Sequence, residues 1–242
     1  MGGVWRDSVF LLKKEMHTDW KYWFWNLFFM AYTAGCISLL VYSMNDSEAE
    51  RSMGAVLDFM FLVMTPLSGI WFCRSSLRYL KEDSYTQKLF YFKILPIPLG
   101  SVVLSRIIQG LCALLINGVI LYTLIYIFTD GLNGAVGLAV YLPFILTWAG
   151  YGLIINAYYI YFEFLSSGKV YLWMSFVHMG GCAVITAVVA LYHGNVLLYT
   201  IEASERFGFL SPLMWGSLLL GGLVLVLTGR LVTRKIAARD MV

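Results

Sequence analysis

The chain has 242 residues, of which 60% are hydrophobic and only 13% are charged, and its mean hydropathy is +0.76. A soluble domain is roughly 45–50% apolar and about 25% charged, so this composition excludes an ordinary soluble enzyme and a disordered protein. The net charge of +3 is far too small for a nucleic-acid binder. The four cysteines lack metal-ligand spacing, and we expect them to be small apolar residues that hold no metal or cofactor.

Six apolar stretches are each long enough to cross a membrane, which requires about 20 apolar residues for ~30 Å of hydrocarbon. They lie near Tyr22–Tyr42, Met53–Cys73, Val102–Phe128, Gly134–Phe162, Val170–Tyr192 and Pro212–Val232. None shows the period-two alternation that is typical of a barrel strand. We therefore predict an all-α membrane protein with six transmembrane helices, which form a single domain over residues 1–242.

The basic residues are distributed very unevenly between the two sides of this predicted topology. Fifteen of the 17 fall on the side of the N-terminus, and only Arg51 and Arg206 fall on the other side. Because basic residues concentrate in cytoplasmic segments, the asymmetry predicts that both termini are cytoplasmic. We expect a multi-pass protein of the cell inner (cytoplasmic) membrane.

The N-terminal segment has the pattern of an amphipathic helix. Its apolar positions, which fall on one helical face, are Trp5, Val9, Leu12 and Met16. The basic residues lie off that face, where they would meet anionic lipid headgroups. We predict an interfacial helix over residues 1–20 that anchors the first span in membrane lipid; in the alternative, it also contacts a cytoplasmic partner.

A second short helix is predicted on the cytoplasmic side, over residues 80–95 between spans two and three. Ser84 and Gln87 fit a capping box at its start, and Pro96 and Pro98 would stop it. One face carries Tyr85, Leu89 and Phe92. So large an apolar face needs a cover, which is either the bilayer or another protein.

The segment 194–211, before span six, contains two apolar pieces on either side of the charged run Glu202–Arg206. Each piece is too short to cross the membrane. We predict a pair of short extracellular helices, re-entrant or on the surface, because backbone at that depth must be covered by protein. An extended loop is the alternative.

Motifs for chemistry are weak in this chain. An intramembrane serine protease would use Ser68 and His178, but Pro66 stands where its motif has glycine. An ion-coupled transporter would need carboxylates near mid-membrane, and the best candidate, Asp58, falls near the outer end of span two. We expect Asn117 and Asn156 to form hydrogen bonds between helices.

The order of these parts resembles a known family. The short cytoplasmic helix ends in Ile94-Leu-Pro-Ile-Pro98, and the extracellular helical segment precedes Leu210-Ser-Pro-Leu213. The last apolar run leads into Arg230-Leu-Val-Thr-Arg-Lys235. This arrangement resembles an ATP-binding-cassette (ABC) export permease of the six-helix, type-two exporter class.

The resemblance implies a transport subunit that is not itself an enzyme. Its partners would be two ABC ATPase subunits, which bind ATP and magnesium, and a second permease subunit, identical or related; no nucleic acid is expected. The short cytoplasmic helix would be the coupling helix that inserts into the ATPase. Its partner-binding residues would be Lys81, Asp83, Ser84, Tyr85, Thr86, Gln87, Lys88, Leu89 and Phe92. The substrate would be amphiphilic, such as an antimicrobial or amphipathic peptide or a drug, exported by alternating access.

Overall fold

A computed structural model of the chain describes residues 2–18, 20–43, 50–71, 84–95, 97–133 and 136–238. In chain order the helices are α1 (Gly2–Thr18), α2 (Trp23–Ser43), α3 (Glu50–Leu67), α4 (Ser84–Ile94), α5 (Leu99–Phe128), α6 (Leu138–Leu165), α7 (Gly168–Leu191), α8 (Val196–Phe207) and α9 (Pro212–Ala238). A 3-10 turn, Trp20–Tyr22, precedes α2, and a second, Gly208–Leu210, follows α8. The regular structure of the described ranges is entirely helical, which confirms the all-α prediction for that part of the chain.

Five helical segments of the described ranges are long and apolar enough to cross a membrane. They are Trp20–Ser43, α5, α6, α7 and α9. Each lies within a few residues of a predicted stretch, and these lengths fit a multi-pass membrane protein. The exception is α3, whose apolar part, Met53–Leu67, is shorter than a span. The sequence placed the second stretch as far as Cys73, whereas α3 ends six residues earlier, at Leu67.

The end of α3 lies inside the helix bundle. Ser68 is fully buried, and the N–H groups of the three residues after Leu67 bond back by three residues, at 3.0–3.1 Å, as in a 3-10 turn. A helix end leaves carbonyl groups without intrahelical partners. Here Asn117 Nδ2 donates to Ser68 O at 2.9 Å, and Asn156 Nδ2 donates to Pro66 O at 3.3 Å. The predicted role of these two asparagines in bonding between helices is confirmed.

Aromatic packing fills the core between α2, α3, α5 and α6. Phe61 and Phe144 are almost fully buried, with their ring centroids 6.0 Å apart in an edge-to-face arrangement. Trp148 packs on Phe61 with a centroid separation of 5.1 Å. Such offset aromatic pairs contribute about 0.5–1.5 kcal/mol beyond the area they bury. This core fixes α3 against the two long helices that surround it.

Two glycines allow α6 and α9 to approach closely. A Cβ atom at Gly150 would lie 2.5 Å from Ser217 C and 2.6 Å from Leu218 N, both on the backbone of α9. A Cβ atom at Gly221 would lie 2.5 Å from Gly150 O. Backbone atoms cannot move aside as the end of a flexible side chain can, so both positions require glycine. Small residues are typical of such close contacts between membrane helices.

The segment before α9 is helical, but it is one continuous helix rather than the predicted pair of short ones. In α8 the charged residues Glu202, Glu205 and Arg206 are exposed, while Leu197 and Ser204 are buried. Because the charges share the outer face of one amphipathic helix, they do not interrupt it. A 3-10 turn then completes the segment before α9 begins.

Candidate partner-docking site

Five helices meet in one buried cluster at one end of the bundle, and Val102 and Val103 of α5 are among its members. Leu11 of α1, Leu89 of α4, Phe164 of α6 and Ile236 of α9 all belong to it. The N-terminal helix, the short helix α4 and the C-terminal end of α9 therefore lie at the same end. Most of the Lys and Arg residues of the described ranges lie within these three helices.

Helix α4 has one face against the bundle and one face exposed. Leu89 is 3% and Phe92 is 8% exposed, whereas Phe90 is 52%, Tyr91 is 49% and Ile94 is 69% exposed. The sequence placed Leu89 and Phe92 on a face that needed an external cover, but α1, α5 and α6 of the same chain provide it. The apolar surface of α4 that is open to a partner is formed instead by the other three residues.

The other predicted partner-binding residues lie in the first half of this segment. Lys81 and Asp83 lie outside the described residues. For Ser84, Tyr85, Thr86 and Lys88 the structure describes the backbone of α4 only, and Gln87 is exposed. The described part of the helix, Ser84–Ile94, falls within the predicted range 80–95, and it ends two positions before Pro96, where the sequence predicts a stop.

Helix α1 packs on the start of α5 with a different face from the predicted one. Ser8, Leu11 and Leu12 are buried, and the Ser8 hydroxyl lies 3.0 Å from Ser101 O at the beginning of α5. Of the predicted anchor residues, Leu12 belongs to this protein-facing side, while Trp5 is 58% exposed. Val9 and Met16 are half-buried.

The sequence predicted a single apolar stripe on α1 that faces membrane lipid. The apolar residues of α1 are instead divided between two faces, because one face packs against apolar side chains of the bundle and the other stays exposed. Phe10, which was not among the predicted anchors, is 67% exposed and lies on the outer side with Trp5. These two aromatic residues are the ones available to an interface.

A buried ion pair lies beneath α4. Arg106 Nε of α5 donates to both carboxylate oxygens of Glu163 of α6, at 2.8 and 3.1 Å, and the two side chains are only 14% and 10% exposed. A cavity of about 20 Å³ beside this pair is lined by Leu89, Phe92 and Glu15, among others. That volume holds roughly one water molecule, and Leu89 and Phe92 of α4 line it together with Arg106 and Glu163.

The sequence placed Arg106 and Glu163 on the same side of the membrane but did not pair them. The signal that could have paired them was available, because Arg106 stands about two turns inside the start of α5, where a lone charge is costly, and Glu163 lies at the end of α6 on the same side. The residues are 57 positions apart, so no local pattern links them. Only the antiparallel packing of α5 and α6 brings them together.

Asp58 also has a role that the sequence did not predict. Its side chain is 2% exposed, and its two carboxylate oxygens accept hydrogen bonds from Val196 N at 2.7 Å and Leu197 N at 2.8 Å. These N–H groups belong to the first turn of α8, which has no intrahelical acceptors for them. Asn195 Oδ1 accepts from Leu198 N at 2.8 Å. The start of α8 is therefore capped by one residue of its own and by Asp58 of α3.

Ser68 and His178, the two residues that a protease would use, have other hydrogen-bond partners. The Ser68 hydroxyl donates to Thr65 O at 2.6 Å. The two ring nitrogens of His178 lie 3.0 Å from the Tyr159 hydroxyl and 3.4 Å from the Tyr151 hydroxyl. The arrangement links α6 to α7 through a polar cluster. It does not supply a serine with a base.

Metal ligands are not clustered in the described ranges. No group of three or more His, Cys, Asp or Glu side chains is placed there to hold a metal ion. Cys182 is buried, Cys36 and Cys112 are half-buried, and Cys73 lies outside the described residues. The first three are free thiols, and Cys182 Sγ lies 3.4 Å from His178 Nε2.

Comparison with known protein families, with curated proteins and with solved structures finds no match to this chain.

Proposed function

We propose that this chain is the membrane permease subunit of an ATP-driven exporter of the ABC type, and that α4 is its coupling helix. The observation that carries the proposal is the two-sided burial of α4. Leu89 and Phe92 attach it to the transmembrane core, while Phe90, Tyr91 and Ile94 stay open to a partner. A helix held in this way can transmit a displacement imposed by a partner to α5 and α6, whereas a flexible loop would change its own conformation instead.

The ion pair under α4 supports the same mechanism. Arg106 and Glu163 connect α5 to α6 where α4 rests on them. A displacement of α4 would therefore act on both long helices together. Breaking a buried ion pair costs several kcal/mol, so the two helices would move as one unit and change access to the opposite side of the membrane.

A six-span topology with both termini in the cytoplasm is part of the proposal. Helix α3 has 18 residues, which at ~1.5 Å each cover about 27 Å, and although its apolar part alone is shorter than a span, we assign it to the second crossing. With α3 as the second crossing, α1 and the end of α9 lie on one side. The membrane would be the cell inner membrane, where an ATPase subunit can reach α4.

Helix α7 offers a surface for a second permease subunit. Only 11% of the most apolar part of α7 is buried, less than in the other candidate spans of the described ranges. Trp173 is 68% and Phe176 is 54% exposed on its outer side. An amphiphilic peptide or drug could pass along such an aromatic surface between the two permeases.

A cross-linking experiment tests the proposal. A photo-reactive amino acid at Tyr91 is expected to cross-link to an ABC ATPase subunit from the same source, when the two are co-expressed. The same substitution at Tyr199, which is 64% exposed on α8 at the other end of the bundle, should give no cross-link. ATP hydrolysis should require both chains, and robust hydrolysis by this chain alone would contradict the proposal.

An ion-coupled transporter is the second candidate, favoured by the end of α3 within the bundle. Transporters of that kind often place a broken helix at the binding site near mid-membrane. The turn at Ser68 is held by Asn117, which lies 11 residues after Arg106, or about 16 Å along α5. Substrate uptake by vesicles that contain this chain alone, driven by a proton or sodium gradient, would favour this candidate over the exporter.

A further inference from the structure

A groove runs along the outside of the bundle between α5 and α9. Its volume is about 620 Å³, and Leu104, Ile107 and Leu111 of α5 face Gly222, Leu225 and Val226 of α9 across it. Leu153 of α6 closes its floor. Its walls are therefore apolar over most of its length, and it opens toward the surroundings of the bundle.

The groove has the length of one leaflet. It extends from Gly100 to Leu111 along α5 and from Gly222 to Arg234 along α9. Eleven to twelve residues at ~1.5 Å each make about 17 Å, close to half of a ~30 Å hydrocarbon core. A chain that fills it would reach from the membrane surface to about mid-membrane.

The surface end of the groove is basic. Arg230 and Arg234 line that end, and both are exposed. Within the described part of the chain neither arginine has a carboxylate partner. The next basic residue, Lys235, is directed away from the groove, because its Nζ donates to the Tyr161 hydroxyl at 2.9 Å. Two guanidinium groups thus stand where a phosphate at the membrane surface would lie.

We propose that this groove binds one anionic phospholipid, with an acyl chain between α5 and α9 and its phosphate between Arg230 and Arg234. Basic pockets between membrane helices on the cytoplasmic side bind anionic headgroups for this electrostatic reason. Arginine suits the role because its planar guanidinium donates two parallel hydrogen bonds to phosphate oxygens. The lipid belongs to the leaflet at the end of the bundle where α1 and α4 lie.

Glycine at position 222 provides the means to block the groove. A Cβ atom there would meet no heavy atom within 4 Å, so a larger side chain enters open space rather than the packed core. Gly216, on the same helix but outside the groove, has equally open surroundings. Gly222→Leu therefore fills the site, and Gly216→Leu is its matched control.

The test measures lipid binding to the purified full chain in neutral detergent by native mass spectrometry. The probes are dioleoyl phosphatidylglycerol, which is anionic, and dioleoyl phosphatidylcholine, which has no net charge. We expect the first bound phosphatidylglycerol to bind about tenfold or more tightly than phosphatidylcholine, since one basic residue near a membrane surface contributes about fivefold. Arg230→Gln/Arg234→Gln should abolish this preference, and Lys13→Gln/Lys14→Gln, which removes two exposed charges of α1, should retain it.

Gly222→Leu should weaken binding of both lipids at least fivefold, and Gly216→Leu should change neither. Val226→Trp, at a position 53% exposed in the groove, replaces Gly222→Leu if that variant does not fold. Equal affinity for the two lipids, or a preference that survives loss of both arginines, overturns the proposal. A dimer that Gly222→Leu dissociates also overturns it, because the groove would then hold a second copy of the chain. Glycerol 3-phosphate that displaces the lipid would do so too, since no acyl chain would be needed.

Discussion

At the scale of single residues, several buried polar side chains form hydrogen bonds with unpaired backbone groups at helix ends. The first turn of a helix has free N–H groups and the last turn has free carbonyls, and these cannot be left unpaired away from water. Asp58 accepts from the start of α8, while Asn117 and Asn156 donate to the end of α3. A carboxylate thus meets the positive end of a helix, and amide groups meet the negative end.

This arrangement predicts the effect of changing Asp58. Asp58→Asn leaves one acceptor oxygen and turns an amide NH₂ toward a backbone N–H, so we expect a loss of about 1–3 kcal/mol in the free energy of unfolding. Unfolding in sodium dodecyl sulfate, followed by circular dichroism, measures it. Asp130→Asn is the control, because Asp130 is exposed and its carboxylate accepts from the exposed Tyr42 hydroxyl, at 3.1 Å, rather than from a helix end. Equal stability of the two variants would contradict the capping role.

At the scale of helices, the contact between α6 and α9 determines how closely the two pack. Gly150 and Gly221 face each other across it, with backbone against backbone. Van der Waals contact is the main attraction between helices in lipid, so a gap here would remove favourable contacts along both helices. A single methyl group at either position would force the helices apart.

Gly150→Ala is therefore expected to lower the free energy of unfolding by about 1–3 kcal/mol, as overpacking typically does. The control is Gly216→Ala on α9, where a Cβ atom would meet no heavy atom within 4 Å. Its free energy of unfolding should stay within about 0.5 kcal/mol of the wild type. The same unfolding measurement compares them. A Gly150→Ala protein as stable as Gly216→Ala would show that the close approach of α6 and α9 is not needed.

The attachment of α4 gives a second test at this scale. Leu89→Ala removes a side chain that is 97% buried, and Phe90→Ala removes one that is 52% exposed. Because large-to-small changes in a core cost about 2–5 kcal/mol, amide exchange in α4 should be at least tenfold faster in Leu89→Ala. Phe90→Ala should leave exchange almost unchanged. Hydrogen–deuterium exchange read by mass spectrometry decides this, and equal rates in the two variants would mean that α4 is not held through Leu89.

At the scale of the whole molecule, the two ends of the bundle differ in charge and in what they present. One end holds α1, α4 and the C-terminal part of α9, and the other holds α8, whose exposed face carries Glu202 and Glu205. A net positive end favours the cytoplasm by the positive-inside rule. The proposed exporter depends on this orientation, since the ATPase must reach α4.

Labelling of single cysteines in whole cells tests the orientation. In a background without the native cysteines, a cysteine at Tyr199 should react with a membrane-impermeant maleimide added from outside. A cysteine at Phe90 or Lys14 should react only after the cells are opened. All three positions are exposed, so a lack of reaction reports the membrane barrier rather than burial. The reverse pattern would overturn the topology.

The class of the protein and the bounds of its long helices could be read from the sequence, because hydropathy and helix length depend on neighbouring residues only. The same is true of the end of α4, which follows from Pro96. Charge placement likewise predicts the orientation from counts along the chain. These properties are local, so they need no knowledge of which helices touch.

The tertiary structure decided which faces and polar groups are covered. Leu89 and Phe92 fit a partner-facing surface by spacing alone, yet α1, α5 and α6 cover them. Asp58 lies 138 residues before the N–H group that it caps at Val196, and Arg106 lies 57 residues before Glu163. No local pattern carries such pairings, because the residues meet only when the helices pack and the buried charges and helix ends must find partners.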